Sequence, residues 1–330
     1  MTSVRLRWAL LLLSALFSPL FASLFGSAGL SPGVVWQCMT DTCPGRVEDM
    51  IFFDIRLPRV LGALLAGGAL AIAGATLQNV TRNGLADPYL FGIVAGAGLG
   101  AAIVSVLPDI GWLPEGTSLP VAAFAGAWGS VFLVQGLAAS RWARTPEQLL
   151  LAGIALSLML GAATHMVLYI GEPFAANKVM FWMMGSLTRL ETPHLLLIAV
   201  PLFFAVILLW LSGRRFDAML LGDKTALSLG VHAGQMRMLG LIVCASLTAV
   251  VVAHCGGIGF VGLMIPHIVR RWFGVNTRAV ILGSLLLGGV FLVWADVLAR
   301  TLLESQELPI GIITSAIGSV FFLLMMRQRA

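Results

Sequence analysis

The chain has 330 residues, 59% of them hydrophobic and 11% charged, with a mean hydropathy of +0.97. A soluble domain carries roughly 45–50% apolar and about 25% charged residues, so a water-soluble enzyme is excluded, and the lack of long polar tracts excludes disorder. The net charge of +5 comes almost wholly from arginines set singly or in pairs between apolar runs, a pattern of membrane topology and not of a nucleic-acid-binding face.

A membrane crossing needs about 20 residues. Apolar runs fall at 8–27, 57–80, 90–107, 119–139, 148–169, 194–212, 236–254, 258–272, 279–299 and 309–326. The first follows Arg5 and Arg7; its apolar core exceeds the roughly 7–15 residues of a signal peptide, so it reads as a retained helix. Gly67, Ala71 and Gly74 form a small-residue stripe in the second run, and Gly92, Gly96 and Gly100 form one in the third. Such stripes let helix backbones approach closely. The eighth run is the shortest and contains Pro266, so it is the weakest candidate for a full crossing. Ten crossings put both termini on one side. With that side cytoplasmic, only Arg46, Arg56, Arg59, Lys178, Arg189 and Arg300 of the 20 basic residues fall outside. The expectation is an all-α polytopic membrane protein of about ten helices, both termini cytoplasmic, with 1–330 as a single transmembrane domain.

The span interiors are nearly free of charge. Asp296 is the main exception, with Arg300 at i+4, where a helical ion pair can form. No carboxylate or lysine relay is evident, and no G-x-x-x-x-G-K-[ST] phosphate loop occurs, so an energy source for active transport would lie on another chain. His254 and Cys255 are adjacent, but two ligands do not make a metal site. No metal and no cofactor is expected.

The loop at 214–237 is the longest on the cytoplasmic side, and its part 214–231 carries the short-helix signals. Asp223 can cap a short helix over Lys224–Leu229, with Gly230 suited to end it and Gly222 suited to end the turn before. Two short surface helices presenting Leu220, Leu221, Leu227 and Leu229 would make a protein-docking platform or a lipid-facing interfacial helix. In the fifth run, Ile154, Leu158, Gly161, His165 and Leu168 share one helical stripe. His165 there either bonds a neighbouring carbonyl or faces a translocation pathway. Trp182, Met183 and Met184 read by composition as an interfacial aromatic with flexible apolar filler. Arg56, Arg59 and Arg300 sit at outer helix ends, where arginines ordinarily snorkel. Cys38 and Cys43 lie on the outer, oxidising side with Pro44-Gly45 turn chemistry beyond them, which permits a disulfide; free thiols are the alternative.

The run RLPRVLGALLAGGALAIAGATLQNVTRNGLADPYLFGIVAGAGLGA (56–101) is similar to the start of the FecCD-like permeases of iron-siderophore, haem and vitamin B12 ABC importers. Further similar blocks follow in order: LLLAGIAL (149–156), FWMMGSL (181–187), LLGDKTALSLGV (220–231), GGIGFVGLMIPHIVRR (256–271) and ADVLARTLLESQELPIGIITSAIGSVFF (295–322). One departure is Asn83-Gly84-Leu85-Ala86, where the family usually has Asn-Pro-Leu-Ala. The resemblance implies ten helices and a non-catalytic permease in a bacterial inner membrane. It also implies a second copy of the chain, two cytoplasmic ATPase subunits and an external substrate-binding protein. By the same resemblance, Leu220, Leu221, Asp223, Ala226, Leu227, Leu229 and Gly230 belong to the coupling helices that enter the ATPase. Arg56, Arg59 and Arg300 would meet glutamates of the binding protein. Trp182, Met183 and Met184 would sit at the external mouth of the pathway. Thr145, Pro146 and Glu147 fall at the family's inner gate, although Glu147 can equally favour the positive N-terminus of the fifth helix. The implied cargo is an iron chelate, siderophore or haem, with a corrinoid as the alternative. A stand-alone secondary transporter is the competing class, and the charge-poor spans argue against it.

Overall fold

The computed structural model describes residues 2–26, 31–40, 42–106, 118–139, 146–303 and 306–327. In chain order, α1 (Thr2–Ala22) leads to two short helices, α2 (Pro32–Met39) and α3 (Arg46–Met50). A π-helical turn, Ile51–Arg56, runs from α3 directly into α4 (Leu57–Thr81). A 3-10 turn at Pro88–Phe91 precedes α5 (Ile93–Val106), followed by α6 (Leu119–Ala139), α7 (Pro146–Ile170) and α8 (Pro173–Met183). Then come α9 (Thr192–Leu220), α10 (Asp223–Ser228), α11 (Ala233–Cys255), α12 (Val261–Phe273), α13 (Thr277–Thr301) and α14 (Ile310–Arg327).

Every apolar run read from the sequence carries a helix, and eight helical segments among the described residues are long and apolar enough to cross a membrane. The exceptions are α5, with 14 residues, and α12, with 13. At 1.5 Å per residue each covers about 20 Å, short of the roughly 30 Å hydrocarbon core. Both are shortened for the same reason: non-helical backbone precedes them. The Asp87 carboxylate accepts from Tyr89 N at 2.8 Å and fixes the 3-10 turn ahead of α5. Gly256 and Phe260, both at positive φ, bound the loop ahead of α12. Such backbone survives at membrane depth only where protein buries it, and Ala86, Asp87, Ile258 and Val261 are all buried.

The bundle is built around α4, the most buried of the long helices. Lipid offers no hydrophobic drive between helices, so the association relies on close approach. A Cβ at Gly67 would collide with Gly288 O of α13, and one at Gly74 with Gly262 O of α12. The second stripe does the same work between α5 and α6, where Gly96 meets Gly126 O and Gly100 meets Ala122 O. Arg7 Nη1 reaches Trp272 O at 3.1 Å, and Trp8 packs on Phe273, which joins α1 to the inner end of α12.

Candidate coupling platform and outer vestibule

The inner platform differs from its sequence reading in two respects. Only one separate short helix forms, because α9 continues through Leu220 and absorbs the first half of the loop. Asp223 does not cap that helix: Gly222, at φ +108, takes the N-cap position without a side-chain bond, and Asp223 is the first residue of α10. The glycine conformation turns the chain sharply enough that no side chain is needed there. Gly230, at φ +77, ends α10 as expected, with Val231 N returning to Ala226 O at 2.8 Å. Ala226 is fully buried against the bundle, whereas Leu221, Leu227 and Leu229 are 66%, 58% and 60% exposed and Leu220 is 39% exposed. An anchored short helix thus presents an apolar rim to its surroundings.

The Asp223 carboxylate turns back towards the bundle. Arg237 of α11 donates to both of its oxygens at 2.7 Å, and Arg82, just past α4, donates to Oδ1. Burial, with Arg237 beside it, pulls the Arg82 guanidinium below its usual range, as expected when two cations share one anion. One turn back on α4, Gln78 donates to Gly262 O at 3.2 Å and accepts from Arg270 of α12, while Asn79 accepts from Arg270 at 3.2 Å. Asn79 also donates to Thr277 Oγ1 at 3.3 Å, and Thr277 is held in turn by Asp217 near the end of α9, its N at 2.9 Å and its Oγ1 at 2.5 Å. Sequence reasoning singled out none of Gln78, Asn79, Arg82, Asp217, Arg237, Arg270 or Thr277 for a role. The available signal was a pair of amides, Gln78-Asn79, inside an otherwise apolar run.

On the outer side the three arginines are not displayed. Arg56, Arg59 and Arg300 are 4%, 8% and 6% exposed, a correction to their reading as outward-facing helix-end cations. Arg59 grips Asp296 through Nε at 3.0 Å and Nη2 at 2.9 Å, and its Nη1 meets Glu307 at 2.9 Å. Arg300 pairs with the same Asp296 at 3.5 Å, as the i+4 spacing suggested. Arg56 and Arg300 also donate to Ser23 O at 2.6 Å and Ala22 O at 2.9 Å, satisfying carbonyls at the end of α1. A buried arginine needs such partners, and these three find them within the chain.

Arg59, Asp296 and Glu307 line a cavity of about 270 Å³ together with Trp182, Gly185, Arg189 and His254. Trp182 is 7% exposed, so it is a wall residue and not an interfacial aromatic. Its segment is pinned by backbone: Ser186 N donates to Cys255 O at 2.8 Å, Ile310 N to Gly185 O at 3.1 Å and Gly311 N to Met184 O at 3.1 Å. A side chain at Gly185, Gly256 or Gly311 would strike one of these carbonyls or its neighbours. Met183 packs beside Gly98 of α5. His254 bonds Val250 O at 2.9 Å, with the His194 ring 5.2 Å away, and no group of three or more metal-binding side chains occurs among the described residues.

Along α7, Ile154, Leu158 and His165 are exposed, Leu158 by 71%, and Gly161 and Leu168 are half-buried. His165 makes no hydrogen bond among the described residues, so the neighbouring-carbonyl alternative is not realised there. Of the expected inner gate, Thr145 lies outside the described residues, and Pro146 and Glu147 open α7. Cys38 and Cys43 come together as a disulfide with Cα atoms 4.2 Å apart, over a small apolar cluster with Val35 and Phe52.

The chain matches the FecCD transport family over residues 10–328. It is 36% identical to the hemin transport system permease protein of Yersinia pestis, an alignment covering 98% of this chain and 96% of that one. It is also 36% identical to the vitamin B12 import system permease protein of Vibrio vulnificus, over 84% of this chain and 83% of that one. Among solved structures, it superposes with a TM-score of 0.84 on an inward-facing metal-chelate type ABC transporter, at 28% identity, covering 96% of this chain and 97% of that one.

Proposed function

From the premise that the chain belongs to the FecCD transport family and is an ABC importer permease, we propose that its cargo is an iron chelate, a siderophore or haem, carried across a bacterial inner membrane. ATP would be hydrolysed on a separate cytoplasmic subunit docked at α10. The observation that carries this reading is the platform itself: three exposed leucines, Leu227 on α10 with Leu221 and Leu229 flanking it, around a short helix anchored by the buried Ala226 and the twice-paired Asp223. A pathway between two copies of the chain would lie across the exposed stripe of α7, which in a single copy would face lipid. An external binding protein would deliver the chelate at the outer vestibule.

Docking of that protein by Arg56, Arg59 and Arg300 carries a condition. A partner's carboxylate would have to compete with Asp296 and Glu307, which already hold Arg59. The corrinoid reading is favoured by one observation, the Vibrio relative's equal identity, although its alignment covers less of the chain. Growth of a deletion strain tests the cargo. Loss of growth on haemin or on a ferric hydroxamate as iron source, restored by the gene, is expected; normal iron-limited growth with loss of cobalamin-dependent growth would transfer the assignment to corrinoids.

A further inference from the structure

The helix α10 hangs between two glycine joints. Gly222 and Gly230 both have positive φ, and no heavy atom lies within 4 Å of where a side chain would begin at either position. Backbone bonds from Gly222 N to Met219 O at 3.1 Å and from Val231 N to Ala226 O at 2.8 Å shape the two joints, and beyond them the orientation of α10 is set by contacts with the bundle. Two are prominent: Ala226 against the bundle, and the Asp223 carboxylate held by Arg237 and Arg82. Isolated surface ion pairs contribute little. This one differs because a single carboxylate joins three elements, and because Arg82 stands at φ +50 beyond α4, its backbone N–H returning to Asn79 O.

We propose that Asp223 is a positioning residue that locks α10 to the inner ends of α4 and α11, so that a displacement imposed on α10 reaches the transmembrane bundle as a rigid movement. Past Arg82 the connection continues: Gln78 and Asn79 on α4 to Arg270 on α12, Asn79 to Thr277 on α13, and Thr277 to Asp217 at the end of α9. Asp217 lies on α9 six residues before Asp223, so the contacts run from α10 around the inner helix ends and back to the helix that precedes it. A push at α10 is thereby shared among five helices and does not dissipate at the glycine joints.

The inference rests on the reading of α10 as the ATPase contact, and the test separates the two. Spin labels at Ser228→Cys on α10 and Leu85→Cys beyond α4 report their spacing in the nanodisc complex with the co-expressed ATPase, nucleotide-free and vanadate-trapped. Cys244 and Cys255 are buried, so the introduced thiols label selectively. The spacing should stay the same in both states with Asp223 intact. With Asp223→Asn it should broaden and become nucleotide-dependent, while the ATPase still co-purifies and haemin accumulated per ATP falls by about fivefold, the low end of ordinary coupling energies. Arg237→Gln, which opens the clamp from the other side, should reproduce this, and Asp223→Glu should retain coupling. Unaltered spacing and accumulation in both clamp variants would overturn the inference. So would loss of the ATPase from the Asp223→Asn complex, which would make Asp223 a docking contact. If the ATPase fails to co-purify even with the unaltered chain, the reading of α10 itself fails, and the inference with it.

Discussion

Arg59 shows what a buried charge requires in this protein. Its guanidinium is shared between Asp296 and Glu307, and Asp296 is shared in turn with Arg300, so each member depends on the others. Removing one partner of such a pair leaves an uncompensated buried charge and costs about 3–5 kcal/mol. Arg59→Ala should accordingly lower the thermal unfolding midpoint in detergent, whereas Arg59→Lys, which keeps a cation between Asp296 and Glu307, should lie closer to the unaltered chain. An unchanged midpoint in Arg59→Ala would mean that the cluster is solvated and free for a partner. The same residue marks a limit of reading the sequence. Arg300 at i+4 from Asp296 was visible in the spacing, but Arg59 lies 237 positions away and nothing local announces it. Asp223 is a second case: a capping residue by local rules, it is drawn instead to Arg82, 141 positions away, and to Arg237.

Among the elements, the transmembrane helices were the most legible because length and apolar composition alone define a crossing. The boundaries that moved did so where chain reversal is tertiary: α9 runs on into the loop that follows it, and α5 and α12 begin late behind buried turns. The glycine stripes were legible as packing surfaces, but their partners were not. These partners now separate two kinds of glycine. Gly74→Leu should drive a side chain into Gly262 O and destabilise by more than the 1–3 kcal/mol usual for overpacking. Gly129→Ala, with nothing within 4 Å, should be neutral or slightly stabilising. Thermal size-exclusion profiles of the two variants check this, and equal losses would contradict the packing scheme. The outer cap gives a further prediction. With Cys38 and Cys43 bridged, intact-mass analysis after alkylation without reductant should add no alkyl group at either position. Replacing both with Ser should cost less than the roughly 3 kcal/mol of a 15-residue ring, because the ring here is shorter.

At the scale of the whole molecule, both ends are tied internally, one by its arginines and the backbone crossing at Gly185, Gly256 and Gly311, the other by the contacts of Asp223, Arg270 and Thr277. The second end also exposes Leu221, Leu227 and Leu229 around α10, and the proposed ATPase contact rests on these residues. Replacing Leu227 and Leu229 with Asp should leave the chain folded, since both side chains are exposed, yet release the ATPase on purification. Reconstitution shows whether import is driven by ATP on a partner subunit. Proteoliposomes holding the chain, its ATPase and its binding protein are supplied with haemin as probe, with ATP on the cytoplasmic face, and compared with vesicles holding the chain alone under a proton or sodium gradient. Accumulation only in the complete, ATP-supplied vesicles, abolished by the double Leu→Asp variant, is expected; gradient-driven accumulation by the chain alone would show a self-sufficient secondary transporter instead.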